Sequence, residues 1–293
     1  MVDGIFVAIF VGENALAATN IAFPFTSLII ALGTMLSTGG NAIVAKNLGE
    51  QNQELACRNF TFIFWAGLFA GLIMATLGYF FTDPIIKILG STEKLHDESA
   101  TYLKILALFA PCSILQAFAQ SFFITAGRPR LGMYSIILSG ITNAVLDYIF
   151  IAIFKMGIAG AAWATGISYS LTAIIYLGYF LFNKKGSLHF SKTKWSHKLL
   201  WEISFNGSSE MVTNLSGGII TMIFNLIMLK FLGEQGVTAI TVILYSEYFL
   251  IAVYIGFLWA FLLYSATHLA AAIHKTRKNC FITASFSLFV HLS

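Results

Sequence analysis

Four acidic residues sit inside otherwise apolar stretches of this sequence: Asp3, Asp147, Glu210 and Glu247. A charge at the centre of a bilayer costs about 2.5–3.5 kcal/mol even on lenient scales, so such residues are functional candidates by default. Asp147 is the most informative. It lies in Leu138-Ser139-Gly140-Ile141-Thr142-Asn143-Ala144-Val145-Leu146-Asp147-Tyr148, and the four-residue step from Asn143 stacks both side chains on one helical face. An amide oxygen beside a carboxylate makes half of an oxygen-rich site for Na⁺, or a carboxyl that holds a proton against a hydrogen-bonding neighbour. The competing reading is an Asn/Asp pair that only glues helices together. Asp3, two turns before Gly12, is placed to project into the same bundle, with a solvent-exposed terminal charge as its alternative. Thr165 lies in Gly160-Ala161-Ala162-Trp163-Ala164-Thr165-Gly166, where small neighbours allow close helix approach and bring its hydroxyl within reach of another helix.

Further polar positions are candidates for a substrate cavity. Gln116 and Gln120 repeat the four-residue spacing on another helix, interhelical hydrogen bonding being the other use of such a pair. Glu210, in Phe205-Asn206-Gly207-Ser208-Ser209-Glu210, reads either as a cavity acid that attracts cations or as an interfacial residue, and Glu247 between Tyr245 and Tyr248 reads the same way. His268, His274 and Cys280 are spaced by six, not the three or four that share a helical face, so no zinc site is expected. The sequence contains no P-loop, nucleophile elbow or HExxH motif, which argues against an enzyme and against ATP-driven transport by this chain.

These residues must be positioned by membrane helices. Of 293 residues, 58% are hydrophobic and only 10% charged, with a mean hydropathy of +0.81, against about 25% charged in soluble domains. Apolar blocks of about 20 residues match the length needed to cross a hydrocarbon layer. No alternating pattern of barrel strands occurs. The reading is an all-α, polytopic helical membrane protein with apolar segments at 1–11 (short), 15–45, 59–81, 102–126, 131–154, 156–182, 199–232 and 237–273, and an incomplete tail from 280 to 292. Three well-separated cysteines, Cys57, Cys112 and Cys280, make no disulfide framework and read as small packing residues.

Orientation follows from charge. Twelve of the 17 basic residues, including Lys46, Arg58, Arg128, Arg130 and the lysines of the 183–198 linker, fall on one set of alternate loops, which the positive-inside rule places in the cytoplasm. The net charge of +4 thus reflects topology. Without an aromatic-lined basic face, nucleic acid is not an expected partner.

The chain also repeats itself. A shift of 221 places Gly12-Glu13-Asn14-Ala15-Leu16-Ala17-Ala18 on Gly233-Glu234-Gln235-Gly236-Val237-Thr238-Ala239, each a tight turn between apolar spans. Duplicated halves are common in secondary transporters. The repeat implies a six-helix bundle over 1–182 with an incomplete first helix, a cytoplasmic linker at 183–198, the first two helices of a second pseudo-symmetric bundle at 199–273, and a divergent tail at 274–293. Only 11 residues precede Gly12, and Ser37-Thr38-Gly39-Gly40 has no counterpart in Leu258-Trp259-Ala260-Phe261. The expectation is therefore a fragment of a longer protein, with the pattern fading after about Phe257.

Several motifs together resemble one family, the multidrug and toxic compound extrusion (MATE) transporters, in their DinF-like branch. They are Val2-Asp3-Gly4-Ile5-Phe6-Val7 leading to Gly12 and Leu16-Ala17-Ala18, Ala22-Phe23-Pro24-Phe25, and Gly39-Gly40 followed by Ala45-Lys46-Asn47-Leu48-Gly49. To these are added Ala126-Gly127-Arg128-Pro129, Asn143 with Asp147, and Gly157-Ile158-Ala159-Gly160-Ala161-Ala162. The resemblance covers roughly residues 2 to 256. It implies about twelve helices in two six-helix bundles around a central cleft, and a cation site at Asp3, Asn143, Asp147 and Thr165. It also implies antiport, in which Na⁺ or H⁺ as the coupling ion drives export of cationic or amphipathic drugs. No other cofactor is expected. The expected partners are the lipid bilayer of a bacterial inner membrane and small cationic or amphipathic substrates, and the expected state is a monomer. The alternatives are a flippase for lipid-linked precursors, whose cleft should carry several Arg or Lys residues, and a non-functional truncated gene product. The absence of Lys or Arg deep in the second to sixth spans favours the drug exporter.

Overall fold

The computed structural model describes residues 2–183 and 186–290, with side chains from Asp3 to Tyr254 apart from Lys184 and Lys185, and at Phe257. Expectations for Lys184, Lys185, Leu258 to Phe261, His268, His274, Lys275, Arg277, Lys278 and Cys280 lie outside those residues and side chains.

A helix satisfies every backbone N–H and C=O within its own segment, as a span in hydrocarbon requires, and helices follow one another along the described residues. They are α1 (Val2–Phe10), α2 (Glu13–Gly49), α3 (Gln53–Phe80), α4 (Thr82–Ile88), α5 (Glu93–Leu108), α6 (Ala110–Thr125), α7 (Pro129–Asp147), α8 (Ile158–Phe182), α9 (His197–Asn206) and α10 (Ser208–Val290). Among the described residues five helices are individually long and apolar enough to cross a membrane, six if α5 and α6 form one span.

Three expected spans are interrupted. The 102–126 segment is not one straight helix: α5 and α6 meet at a 56° bend, because Pro111 at the start of α6 removes a backbone donor and fixes the local φ. The 131–154 segment is α-helical only as far as Asp147 and then widens into a π-helical turn, Tyr148–Ile153. The 199–232 segment breaks at Gly207, between α9 and α10.

Both copies of the repeated turn are present as left-handed glycines, Gly12 at φ 120° and Gly233 at φ 64°, a conformation open to glycine without the Cβ penalty. They approach one another. Glu13 and Asn14 from the first turn, and Glu234 and Gln235 from the second, line one cavity of about 650 Å³ together with Lys94. The second turn is tied to the start of α5, where Lys94 Nζ lies 3.1 Å from Glu234 Oε2 and Thr92 Oγ1 donates to Glu234 Oε1 at 2.7 Å.

By contact, residues 2–242 form one compact unit, and residues from 243 onward belong to another. The core of the first unit is aromatic. Phe60 on α3 packs 5.1 Å from Phe122 on α6 and 4.7 Å from Phe180 on α8, all three fully buried. Gly67 and Gly71 on α3 let α6 approach closely: a Cβ on Gly71 would sit 2.6 Å from the Pro111 Cα, and one on Gly67 would strike Phe118. The 183–198 linker is no free tether. Leu188 is buried, Phe190 packs against Phe60 and Phe64, and the Ser191 N–H donates to Thr61 Oγ1 at 2.9 Å.

Candidate functional site

Three helices carry the acidic cluster: α1, α7 and α8. α7 and α8 lie close because Gly160 admits Phe150 and Ile151 at its surface, and Ser139 Oγ donates to the Ser168 carbonyl at 2.9 Å. That contact fixes the rotational setting of both helices and turns Asn143, Asp147 and Thr165 toward each other and toward α1. The Thr165 hydroxyl donates to Asp3 Oδ2 at 2.7 Å, and Asn143 Nδ2 reaches Thr165 Oγ1 at 3.4 Å. Asp147 is fully buried. No described donor reaches either of its carboxylate oxygens, and the Asp3 carboxyl is a near neighbour. Two carboxyls can hydrogen-bond only when they share a proton, and as two anions they need a cation between them. Among the described side chains no cation is paired with either carboxyl.

The backbone is unusual at the same place. The π-helical turn begins immediately after Asp147; such turns are rare and concentrate at functional sites. On the other side of Asp3 and Thr165 lies a cavity of about 150 Å³, lined also by Thr26, Tyr102, Ser113 and Tyr169. The α5/α6 bend bears on this site: a Cβ on Gly166 would collide with Phe109, the residue at the bend, whose ring also meets Trp163 edge-on at 5.5 Å.

The structure places Asp3, Asn143, Asp147 and Thr165 beside one another. The other candidates stand elsewhere. Gln116 is half-buried and Gln120 and Glu210 are exposed, and none of the three lines the cavity beside Asp3. Glu247 is exposed.

A second polar cluster had no place in the sequence reading. Asn20 on α2 donates through Nδ2 to Asn225 Oδ1 at 2.9 Å and to Thr241 Oγ1 at 2.8 Å, both on α10. Asn225 Nδ2 returns a bond to the Asn20 carbonyl at 3.4 Å. That carbonyl is available because Pro24, four residues on within α2, has no N–H to offer it. All three side chains are buried. The signal that finds them is the repeat itself, since Asn20 and Thr241 stand 221 positions apart, the offset of the two glycine turns.

With this geometry in place, comparison with known proteins decides the family. The family model described as MatE matches residues 1–149. The chain belongs to the MatE family. It is 26% identical over 223 residues to the multidrug export protein MepA of Staphylococcus saprophyticus, covering 75% of this chain and 49% of that protein. Against MepA of Staphylococcus aureus it is 25% identical over 224 residues, covering 76% of this chain and 50% of the relative. Among solved structures it superposes on an inward-facing multidrug resistance MATE transporter of the MOP superfamily with a TM-score of 0.77, at 24% identity, over 82% of this chain and 55% of that one. A second match is the MATE multidrug transporter DinF-BH, with a TM-score of 0.76 at 25% identity over 83% of this chain and 55% of that one. The chain spans about half the length of the curated relatives it matches. Family and apolar helices together make it a multi-pass membrane protein.

Proposed function

We propose that this chain carries the ion-coupling half of a secondary antiporter that exports cationic or amphipathic compounds, with Na⁺ or H⁺ bound at Asp147, Asp3, Asn143 and Thr165. The observation that carries the reading is the buried Asp147, which no described donor reaches and which has the Asp3 carboxyl as a near neighbour. Binding one cation, or one shared proton, removes the repulsion between the two carboxyls and supplies the missing partner. The Thr165 hydroxyl already donates to Asp3, so its oxygen lone pairs, the Asn143 amide oxygen and the carboxylates together offer the oxygen ligands that a hard monovalent ion needs. Because Asp3 is on α1 while Asn143 and Asp147 are on α7 and Thr165 on α8, ion arrival draws three helices together. Ion release separates them beside the α5/α6 bend, and so couples charge to helix position.

The export function rests on kinship to the multidrug export proteins MepA. The membrane is that of a bacterial cell, with the lysine-rich loops on the cytoplasmic side. The test is uptake of a fluorescent lipophilic cation by everted vesicles containing the chain, with Na⁺ and pH varied independently. Ion-dependent uptake that Asp147→Asn abolishes, at unchanged membrane abundance, is the expected result. Uptake that persists undiminished in Asp147→Asn overturns the assignment.

A further inference from the structure

Where the linker meets the start of α3 and the first turn of α9, three basic side chains from three separate elements converge on one cavity of about 380 Å³: Arg58 on α3, Lys194 on the linker and Lys198 on α9. Asn59, Thr193 and Ser196 add neutral polar groups to its wall, and Glu202 is its one acid. Among the described residues none of the three cations is in an ion pair. The wall is held in place from behind. Gln53 Nε2 donates to the Gly186 and Ser187 carbonyls at 3.1 and 3.2 Å, and Trp195 packs 5.1 Å from Phe62. Ser196 caps α9 by accepting from the Leu199 N–H at 3.3 Å, so the positive end of that helix borders the same space.

We propose that this cavity is a binding site for the phosphodiester headgroup of an anionic phospholipid. Charge is the first reason: a lining with three cations and one acid keeps a net positive charge that is complementary to an anionic phosphate. Position is the second. Arg58 lies in the second turn of α3, immediately before its apolar run, and Trp195, half-exposed, sits at the mouth as tryptophans do at a membrane surface. The third is the way out for acyl chains, because Trp201 and Phe205 on α9 and Trp65 on α3 are exposed and continue the site with apolar surface. A free phosphate satisfies the charge but uses neither the tryptophan nor this surface. The proposal rests on the membrane reading alone and is independent of ion coupling at Asp147.

Native mass spectrometry of the full chain in detergent, titrated with phosphatidylglycerol, phosphatidylcholine or inorganic phosphate, tests it. Phosphatidylglycerol is expected to bind tighter than phosphatidylcholine. Each of Arg58→Gln, Lys194→Gln and Lys198→Gln should weaken it about fivefold, and the triple variant about a hundredfold, while Lys155→Gln, equal in charge change but remote, leaves it unaltered. Retention by the unsubstituted protein should also fall as NaCl rises from about 0.1 to about 1 M, a readout that needs no variant to fold. Equal binding of the two lipids, an unaffected triple variant, salt-independent retention, or inorganic phosphate displacing the lipid at equal concentration would each overturn the proposal.

Discussion

The two buried polar clusters of this protein are built from similar side chains and behave as opposites. Around Asn20, Asn225 and Thr241 the amides exchange hydrogen bonds with acceptors on the facing helix, including the carbonyl that Pro24 leaves free. Around Asp3, Asn143, Asp147 and Thr165 the hydrogen bonds run as far as Asp3 and stop, leaving Asp147 buried without a donor. The first cluster is neutral and complete, so no ion has anything to add to it. The second is deficient: it holds two neighbouring carboxyls and, on the proposed reading, is satisfied when a cation arrives. Their relation to the repeat differs too. Asn20 and Thr241 are counterparts that touch, whereas the counterpart of Asp3 is Phe224. Duplication thus explains the seam between α2 and α10 but not the acids, which belong to one half only.

The largest effect that separates the clusters is the response to ions. A cation that binds the folded chain at about a hundred times its dissociation constant stabilises it by about 2.7 kcal/mol. Thermal unfolding in detergent should show such a gain with Na⁺, or with acidification if the proton is the ion, and Asp147→Asn should erase it. The same substitution should leave the ion-free protein as stable as before or more so, because it removes one of two neighbouring carboxyls. Asn20→Ala should do the reverse, lowering the melting temperature while preserving the ion-dependent increment. An increment that disappears in Asn20→Ala and survives in Asp147→Asn would exchange the roles assigned to the two sites.

Next in size is the cost of opening the seam. Asn225→Ala strands the Asn20 carbonyl and one amide proton in a buried place, a loss of about 1–2 kcal/mol, measurable as a shift in denaturation midpoint. The two clusters are on different helices and share no partner, so the losses from Asn225→Ala and Asp147→Asn should add.

How far this was legible in the sequence follows from the same contrast. Asp3, Asn143, Asp147 and Thr165 were visible because a carboxylate in an apolar run is expensive and therefore conspicuous, and because a four-residue spacing fixes a shared face. Asn20 and Asn225 were not, since a neutral amide is a modest disturbance in a span and its partner lies 205 residues away. The breaks were hidden for another reason. Apolar length is blind to backbone geometry, so 102–126 and 199–232 read as single spans although Pro111 and Gly207 stood in them as signals. The π-turn after Asp147 has no sequence signature of its own. The basic cavity at Arg58 required the linker to dock on α3, which charge counting alone, having assigned those residues only to a side of the membrane, does not imply.

The smallest expected effect is the most specific to the seam. If the Asn20 carbonyl accepts from Asn225 because Pro24 withholds its N–H, then Pro24→Ala should supply the missing helical donor and make the Asn225 bond redundant. Asn225→Ala should then cost less in the Pro24→Ala background than in the unsubstituted chain, by about 0.5–1 kcal/mol in a double-mutant cycle. Thr241→Val, which keeps shape but removes the acceptor of Asn20 Nδ2 and the hydroxyl's own bond to the Val237 carbonyl, should cost about 0.6 kcal/mol in either background, because the proline bears on the Asn20 carbonyl and not on these side-chain bonds. Additive losses for Pro24→Ala and Asn225→Ala would mean that the proline and the asparagine act separately, and that the seam is held by side-chain contacts alone.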